Sequence, residues 1–177
     1  MSQQPFQFKK FKVHQDRCAM KIGTDGVLLG AWSSIEHEPK SILDIGSGTG
    51  VIALQLAQRS SASTIDAIEI DDQAHEQCTH NFEHSDWADR LFCYHASVQE
   101  FASEMEHKYD LIVSNPPFFK APKSIDAQTQ NTSQERAVAR FTDTLPFTHL
   151  VVCAAHLLSQ NGVFCTILPQ TEVASFI

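Results

Sequence analysis

No apolar run in this 177-residue chain approaches the ~18 residues a membrane-spanning helix requires. The longest apolar stretches, residues 26–32 and 150–158, have the size of core segments. The opening MSQQPFQFKK has no apolar segment after its charges, so no secretory signal is expected. Cysteine is sparse and unpatterned: Cys18, Cys78, Cys93, Cys153 and Cys165 are odd in number and show no CxxC spacing. That argues against a disulfide framework or a zinc ribbon and suits a reducing cytoplasm. Internal repeats, low-complexity tracts and Gly/Ser linkers are all missing. With 42% hydrophobic and 19% charged residues the composition is globular, which excludes a disordered or fibrous chain. A mass of 19.7 kDa suits one domain.

Positive charge is also scarce, with 13 Lys and Arg against 21 Asp and Glu, a net charge of −8. Such a balance argues against a non-specific nucleic-acid binder. The charge is unevenly placed, however. Lys9, Lys10, Lys12, Arg17 and Lys21 face a single early acid, Asp16, whereas residues 61–110 hold twelve acids and only Arg90 and Lys108 as bases. This reads either as a basic arm on an acidic body or as two solvated faces.

Hydrophobic periodicity gives an alternating order of elements. SILDIG (41–46) is a buried strand stopped by glycine, and VIALQLAQR (51–59) has helical spacing. TIDAIEI (64–70) is a second strand. Residues 71–85 form a helix with acids in its first turn. LFCYH (91–95) and YDLIVS (109–114) are strands three and four. Pro146 can open a helix reaching Ser159, with Gly162 beyond its end, and GVFCTIL (162–168) is strand five. Strands alternating with helices imply an α/β fold with a doubly wound, mostly parallel sheet. Ligands of such sheets bind beyond the carboxyl ends of the strands, here after Ile45, Ile70, Tyr94 and Ser114.

Strand one runs into Asp44-Ile-Gly46-Ser-Gly48-Thr-Gly50. The glycines allow a tight turn and close approach of backbone to a ligand. Their spacing is not the G-x-G-x-x-G of dinucleotide folds, and no Gly-Lys-Ser/Thr follows to make a phosphate-binding loop. Glu69 ends strand two, where an acid can accept ribose hydroxyls of a nucleoside; a plain surface acid would look the same. Asp71 and Asp72 suit the start of the next helix. Asp44 favours a cationic ligand group, which fits S-adenosylmethionine better than NAD.

Strand four runs into Ser114-Asn115-Pro116-Pro117-Phe118. An exocyclic amine conjugated to a base ring is a poor nucleophile because its lone pair is delocalised. Oxygens accepting its two N–H hydrogens turn that lone pair toward a methyl donor. The Asn115 side chain and the Pro116 carbonyl are candidate acceptors, and neither proline brings a competing N–H. Phe118 offers a face for stacking the target base. An isolated Asn-Pro turn is the plainer reading.

Together these residues resemble class I S-adenosylmethionine-dependent methyltransferases of the amino-methylating type, Rossmann-like in fold, across essentially the whole chain. FKKFKVHQDRCAMKIGTDGVLLGAW (8–32) and ARFT (139–142) are similar to the bacterial valine-tRNA (adenine-37) N6-methyltransferases. The resemblance implies methylation of the N6 amine of adenine-37 in the anticodon loop. It implies catalysis by Asn115, Pro116, Pro117 and Phe118. Cofactor contacts would come from Thr24, Asp44, Gly46, Gly48, Gly50, Glu69, Ser97, Val98 and Asn115, with the region around Gly23, Thr24 and Asp25 closing over the methionine end. Ser97 stands where many relatives carry an acid. RNA contacts would come from Lys9, Lys10, Lys12 and Arg17 of the arm and from Lys120, Lys123, Arg136 and Arg140 of the long polar stretch 120–140. Residues 1–32 are then an arm and cofactor-capping segment, and 33–177 the core. The family's seven-stranded sheet needs two strands more than the sequence supplies, so the expectation is a sheet truncated before its last two strands, with strand five a bare edge bearing Val163, Cys165 and Ile167.

Other features lead elsewhere or nowhere. His75, His80 and His84 sit on different helical faces and no cysteine cluster joins them, so no metal is expected. Cys18 is read as an inert thiol. Phe6, Phe8, Phe11 and Trp32 are packing candidates. Two alternatives retain the tetrapeptide chemistry: amino methylation of guanine or adenine in ribosomal RNA, or of a protein glutamine. A third is a non-catalytic cofactor-binding scaffold of an RNA-modifying complex.

Overall fold

The structure is a computed structural model that describes residues 4–116, 147–170 and 173. The chain opens with a short antiparallel pair, β1 (Phe6–Gln7) and β2 (Lys12–Val13), followed by helix α1 (Thr24–Trp32). Then come β3 (Ser41–Ile45), α2 (Val51–Arg59), β4 (Thr64–Glu69), α3 (Asp72–Glu83), β5 (Leu91–His95), α4 (Val98–Glu104) and β6 (Tyr109–Ser114). Beyond residue 146 lie α5 (Phe147–Leu157) and β7 (Leu158–Thr166).

Strands β3 to β7 form one parallel sheet in the order β5-β4-β3-β6-β7. The chain therefore winds outward from β3 through β4 and β5, then crosses to β6 on the other side. That reversal opens a crevice at the carboxyl ends of β3 and β6, the switch point of an open α/β sheet. The expected Rossmann-like, doubly wound architecture is the one observed, and β7 ends the sheet among the described residues.

Both faces of the sheet are covered, so β3 reads as an unbroken buried run. Alternation along the strand sends Ile42 to one layer and Leu43 and Ile45 to the other. The first layer joins Leu54 and Leu56 of α2 and Phe82 of α3 with Phe11, Val13 and Leu29 from the N-terminal segment. The second joins Phe101 of α4 with Tyr109, Leu150 and Leu157. The N-terminal segment thus contributes to the core. Phe8 stacks on Phe11, with ring centroids 4.5 Å apart, and Phe11 meets Trp87 edge-on. Phe6 is half exposed, and Trp32 is 82% exposed and packs little, contrary to the sequence expectation.

Three further elements differ from that reading. Helix α1 carries two glycines and an apolar sequence without clear periodicity. It forms because it packs tightly: a Cβ at Gly30 would lie 2.2 Å from Gln55 Nε2. Gln55 also donates to Val27 O (3.1 Å), and Arg59 Nη1 donates to Gly30 O (2.7 Å) and Ser33 O (3.0 Å), closing the end of the helix. Helix α4 is set by a capping box between Ser97 and Glu100. Gly162 does not terminate a helix. Helix α5 ends at Leu157, and Gly162 lies inside β7 at a register shift opposite Tyr109–Leu111, where a Cβ would meet Tyr109 O at 2.8 Å.

Candidate active site

A cleft opens at the switch point. Its floor is the glycine loop from Gly46 to Thr49 with Glu69 beside it. One wall is a strap, Cys18–Gly23, which leads into α1; the opposite wall is Ser114-Asn115-Pro116 at the end of β6. The sequence-predicted Gly46, Gly48, Glu69, Asn115 and Pro116 are thereby brought together around one space.

The loop holds its shape through left-handed backbone and a carboxylate. Gly46, Gly48 and Gly50 have φ of +72°, +54° and +76°. Gly50 is doubly constrained, since a Cβ there would lie 2.6 Å from the Phe82 ring and 2.8 Å from Cys78 Sγ. The N–H groups of Gly46 and Ser47 both donate to Ile68 O, at 2.9 and 3.1 Å, joining the loop to β4. Glu69 Oε2 accepts from Gly48 N–H (2.8 Å), while Oε1 accepts from the N–H groups of Ile70 (2.9 Å) and Asp71 (3.0 Å). Burial pushes the Glu69 carboxyl above its ordinary range against the pull of these three donors. A carboxylate has about four acceptor positions, so roughly one remains for a ligand hydroxyl.

Asp44, the carboxylate expected near a cationic ligand group, lies at the end of β3 before the loop. It is fully buried below the loop, outside the cleft wall, and its Oδ2 accepts from Ala53 N–H at 3.2 Å in the first turn of α2. Its Oδ1 has no partner among the described residues. Burial pushes its carboxyl up to about 7; the Ala53 bond opposes this and the nearby Glu69 adds to it.

At the far wall Ser114 Oγ donates to Ile45 O (2.9 Å), tying the end of β6 to β3. The next residue, Asn115, turns its amide beside Gly26 of α1: a Cβ at Gly26 would sit 3.8 Å from Asn115 Nδ2. Asn115 Oδ1 is buried and unpartnered among the described residues. A buried, unpaired acceptor is costly to fold and is held for a donor. It therefore fits a ligand N–H.

The remaining candidates fall into three groups. Thr24 opens α1, exposed, next to Gly23 of the cleft wall. Ser97 and Val98 are not brought to the cleft: Ser97 caps α4 and Val98 packs in the second core layer. Lys9, Lys10 and Lys12 are exposed around the N-terminal strand pair, whereas Arg17 forms an ion pair with Glu76 at 3.1 Å. Pro117, Phe118, Lys120, Lys123, Arg136 and Arg140 lie outside the described residues.

Several residues of the cleft were not singled out from the sequence. Met20, Lys21 and Ile22 line it, and Gln55 and Arg59 hold α1 against α2. Cys18 also lines it, its thiol pushed up to about 12 by burial and by the adjacent Glu69, which keeps it protonated and unreactive. Contrary to the expectation of different faces, His80 and His84 are one turn apart and stack, while His75 stacks on His95. Among the described residues no three His, Cys, Asp or Glu side chains cluster as metal ligands. No described helix is long and apolar enough to cross a membrane.

Comparison with known proteins gives a consistent pattern. Residues 26–143 match the sequence family described as Methyltransferase small domain. The tRNA1(Val) (adenine(37)-N6)-methyltransferase of Christiangramia forsetii is 61% identical over 175 residues, covering 97% of this chain and 70% of the relative. The like-named protein of Flavobacterium psychrophilum is 57% identical, with 97% and 71% covered. That of Erwinia tasmaniensis is 50% identical, with 94% and 65% covered. Among solved structures, a ribosomal protein methylase from Lactobacillus delbrueckii subsp. bulgaricus superposes with a TM-score of 0.54 at 14% identity, covering 85% of this chain and 61% of that one. Protein arginine methyltransferase 10 of Arabidopsis thaliana gives 0.53 at 18% identity, covering 78% and 33%. These two likenesses speak for the fold.

Proposed function

The chain belongs to the family of tRNA1(Val) (adenine(37)-N6)-methyltransferases, and from that premise we propose that it methylates the N6 amine of adenine-37 in the anticodon loop of valine tRNA, using S-adenosylmethionine. The observation that carries the proposal is that Asn115, whose buried Oδ1 has no partner among the described residues, lines the same cleft as the glycine loop and Glu69. S-adenosylmethionine, when bound, supplies an activated methyl group.

The chain's own residues then do the following. The Gly46–Gly50 backbone lets the nucleoside part lie close to the loop, and Glu69 takes a ribose hydroxyl with its remaining acceptor position. Asp44 supports the loop from below. Thr24 and the strap close the methionine end. Asn115 Oδ1 and the Pro116 carbonyl accept the two N–H hydrogens of the target amine, which turns its lone pair into the cleft. The work of these oxygens is orientation, an effect worth up to roughly 7–11 kcal/mol in favourable cases. Pro117 stiffens the segment and Phe118 stacks the extruded base. A loop base is largely unpaired already, so extruding it costs at most a few kcal/mol. Lys9, Lys10, Lys12, Lys120, Lys123, Arg136 and Arg140 are assigned to RNA phosphates, and Arg17 joins them on leaving Glu76. We read residues 1–32 as the arm and capping segment and the remainder as the core.

Label from methyl-labelled S-adenosylmethionine, followed through fractionated transfer RNA, ribosomal RNA and protein of cells lacking this gene product, tests the reading. It is expected in the transfer RNA fraction alone. Label in ribosomal RNA or protein would retain the chemistry and replace the substrate.

A further inference from the structure

Two buried carboxamides on α3 have no part in the chemistry above. Gln77 and Asn81 are one helical turn apart, and each is 2% exposed. Asn81 Oδ1 accepts from His14 N–H at 2.9 Å, while its Nδ2 donates to His14 O at 2.8 Å and to Thr49 O at 2.9 Å. Both backbone groups of His14, four residues before the strap, and one carbonyl of the glycine loop therefore converge on a single side chain. Gln77 Oε1 accepts from Arg17 N–H at 3.0 Å. The same helix supports the loop from below through Cys78 and Phe82, which crowd Gly50.

The strap follows these two anchors, His14 and Arg17, and is braced back on the segment between them and on itself. Ile22 N–H donates to Gln15 Oε1 (2.9 Å) and Lys21 Nζ donates to Cys18 O (3.0 Å). A self-braced loop moves as a unit, so its position over the cleft depends on where it is fastened. The segment is fastened to α3 by the two carboxamides, by the Arg17–Glu76 ion pair and by an edge-on contact of His14 with His80, ring centroids 5.1 Å apart. The ion pair is 48% and 56% exposed, so it is screened by solvent and holds little. The buried amides hold more, since losing them would strand Thr49 O in the interior and unpair the part-buried backbone groups of His14.

We propose that Asn81, seconded by Gln77, is a positioning residue for cofactor binding: it latches the strap to the glycine loop and so sets the width of the cleft. The inference rests on the proposed use of S-adenosylmethionine. Only a carboxamide of this length serves. Asp keeps the acceptor for His14 N–H but sets an oxygen against two carbonyls, and Leu offers neither donor nor acceptor.

Asn81→Asp, Gln77→Ala and Glu76→Ala in the full chain test the latch. Amide hydrogen exchange of residues 13–22 in the ligand-free protein is expected to accelerate about tenfold or more in Asn81→Asp, with β3, β4 and β6 unchanged. KM for S-adenosylmethionine is expected to rise about tenfold, with kcat within about threefold and KM for tRNA unmoved. Gln77→Ala, which leaves the Thr49 bond intact, should show the same changes on a smaller scale and remains informative if Asn81→Asp fails to fold. Glu76→Ala should change neither. Unchanged strap exchange in both amide variants overturns the latch. Uniform acceleration through the sheet, with kcat falling as KM rises, makes Asn81 merely structural and overturns the positioning role. Wild-type protein that fails to bind S-adenosylmethionine in calorimetry would sink the functional reading instead, while strap exchange still decides the latch.

Discussion

Glu69 and Gly48, 21 residues apart in sequence, are joined by a 2.8 Å hydrogen bond from the Gly48 N–H to Oε2. With the Ile70 and Asp71 bonds to Oε1, this makes the carboxylate both the brace of the loop and a wall of the cleft. One side chain thus links fold and ligand site.

Glu69→Gln replaces an acceptor-only group by one that also carries two donors, so at least one of the three N–H groups meets another N–H. The expected outcome is a loss of about 1–3 kcal/mol in stability and a tenfold or greater fall in S-adenosylmethionine affinity. Urea denaturation and calorimetry measure the two separately.

Asn115→Ala removes the unpartnered acceptor and leaves the loop, Glu69 and the strap in place. The expected result is a fall in kcat of about 100-fold or more, comparable to deleting one preorganised polar group elsewhere. Cofactor affinity should stay within about threefold. Unchanged turnover would remove Asn115 from the mechanism.

Gly50→Ala and Gly46→Ala place a methyl group on left-handed backbone in both cases, at about 1–2 kcal/mol each. They differ in surroundings. At Gly46 the new Cβ meets nothing within 4 Å, whereas at Gly50 it meets the Phe82 ring at 2.6 Å and Cys78 Sγ at 2.8 Å. Gly50→Ala should therefore cost about 1–3 kcal/mol more than Gly46→Ala in urea denaturation. Equal costs would show that the loop is not seated on α3 as described.

The strand-and-glycine framework was legible in the sequence because it is local. Strands β3 to β6 fall within a residue of their expected bounds, and the loop and Glu69 lie where the alternation of strands and helices puts them. Helix α1 was not legible, because TDGVLLGAW shows no one-sided apolar stripe and its glycines serve contacts with Gln55 and Asn115 made across the fold. Helix α4 had a readable signal, the Ser97-x-x-Glu100 capping box. The reach of Asn81 to His14 spans 67 residues, and no spacing rule conveys it. The setting of Asp44 was not legible either, because only packing shows its Oδ2 turned to the first turn of α2.

Asp44 also makes stability depend on pH. Its folded-state carboxyl lies at about 7 against an ordinary 3.8, chiefly through burial. The folded protein therefore holds more protons than the unfolded chain between those values, and stability from this group is present at low pH and lost as pH rises through about 7. The loss is at most about 1.4 kcal/mol per pH unit. Asp44→Asn abolishes it. Compared with wild type in urea, the variant should be relatively more stable at pH 8 than at pH 5. A pH-independent difference between the two proteins would contradict a buried, reluctantly ionised Asp44.

The central claim is methyl transfer to one amine of one nucleotide. The direct measurement compares two unmodified valine tRNA transcripts, one with adenine and one with guanine at position 37, after incubation with labelled S-adenosylmethionine and nucleoside digestion. N6-methyladenosine is expected from the first transcript and no label from the second. Equal labelling of both, or label in any other nucleoside, would contradict it.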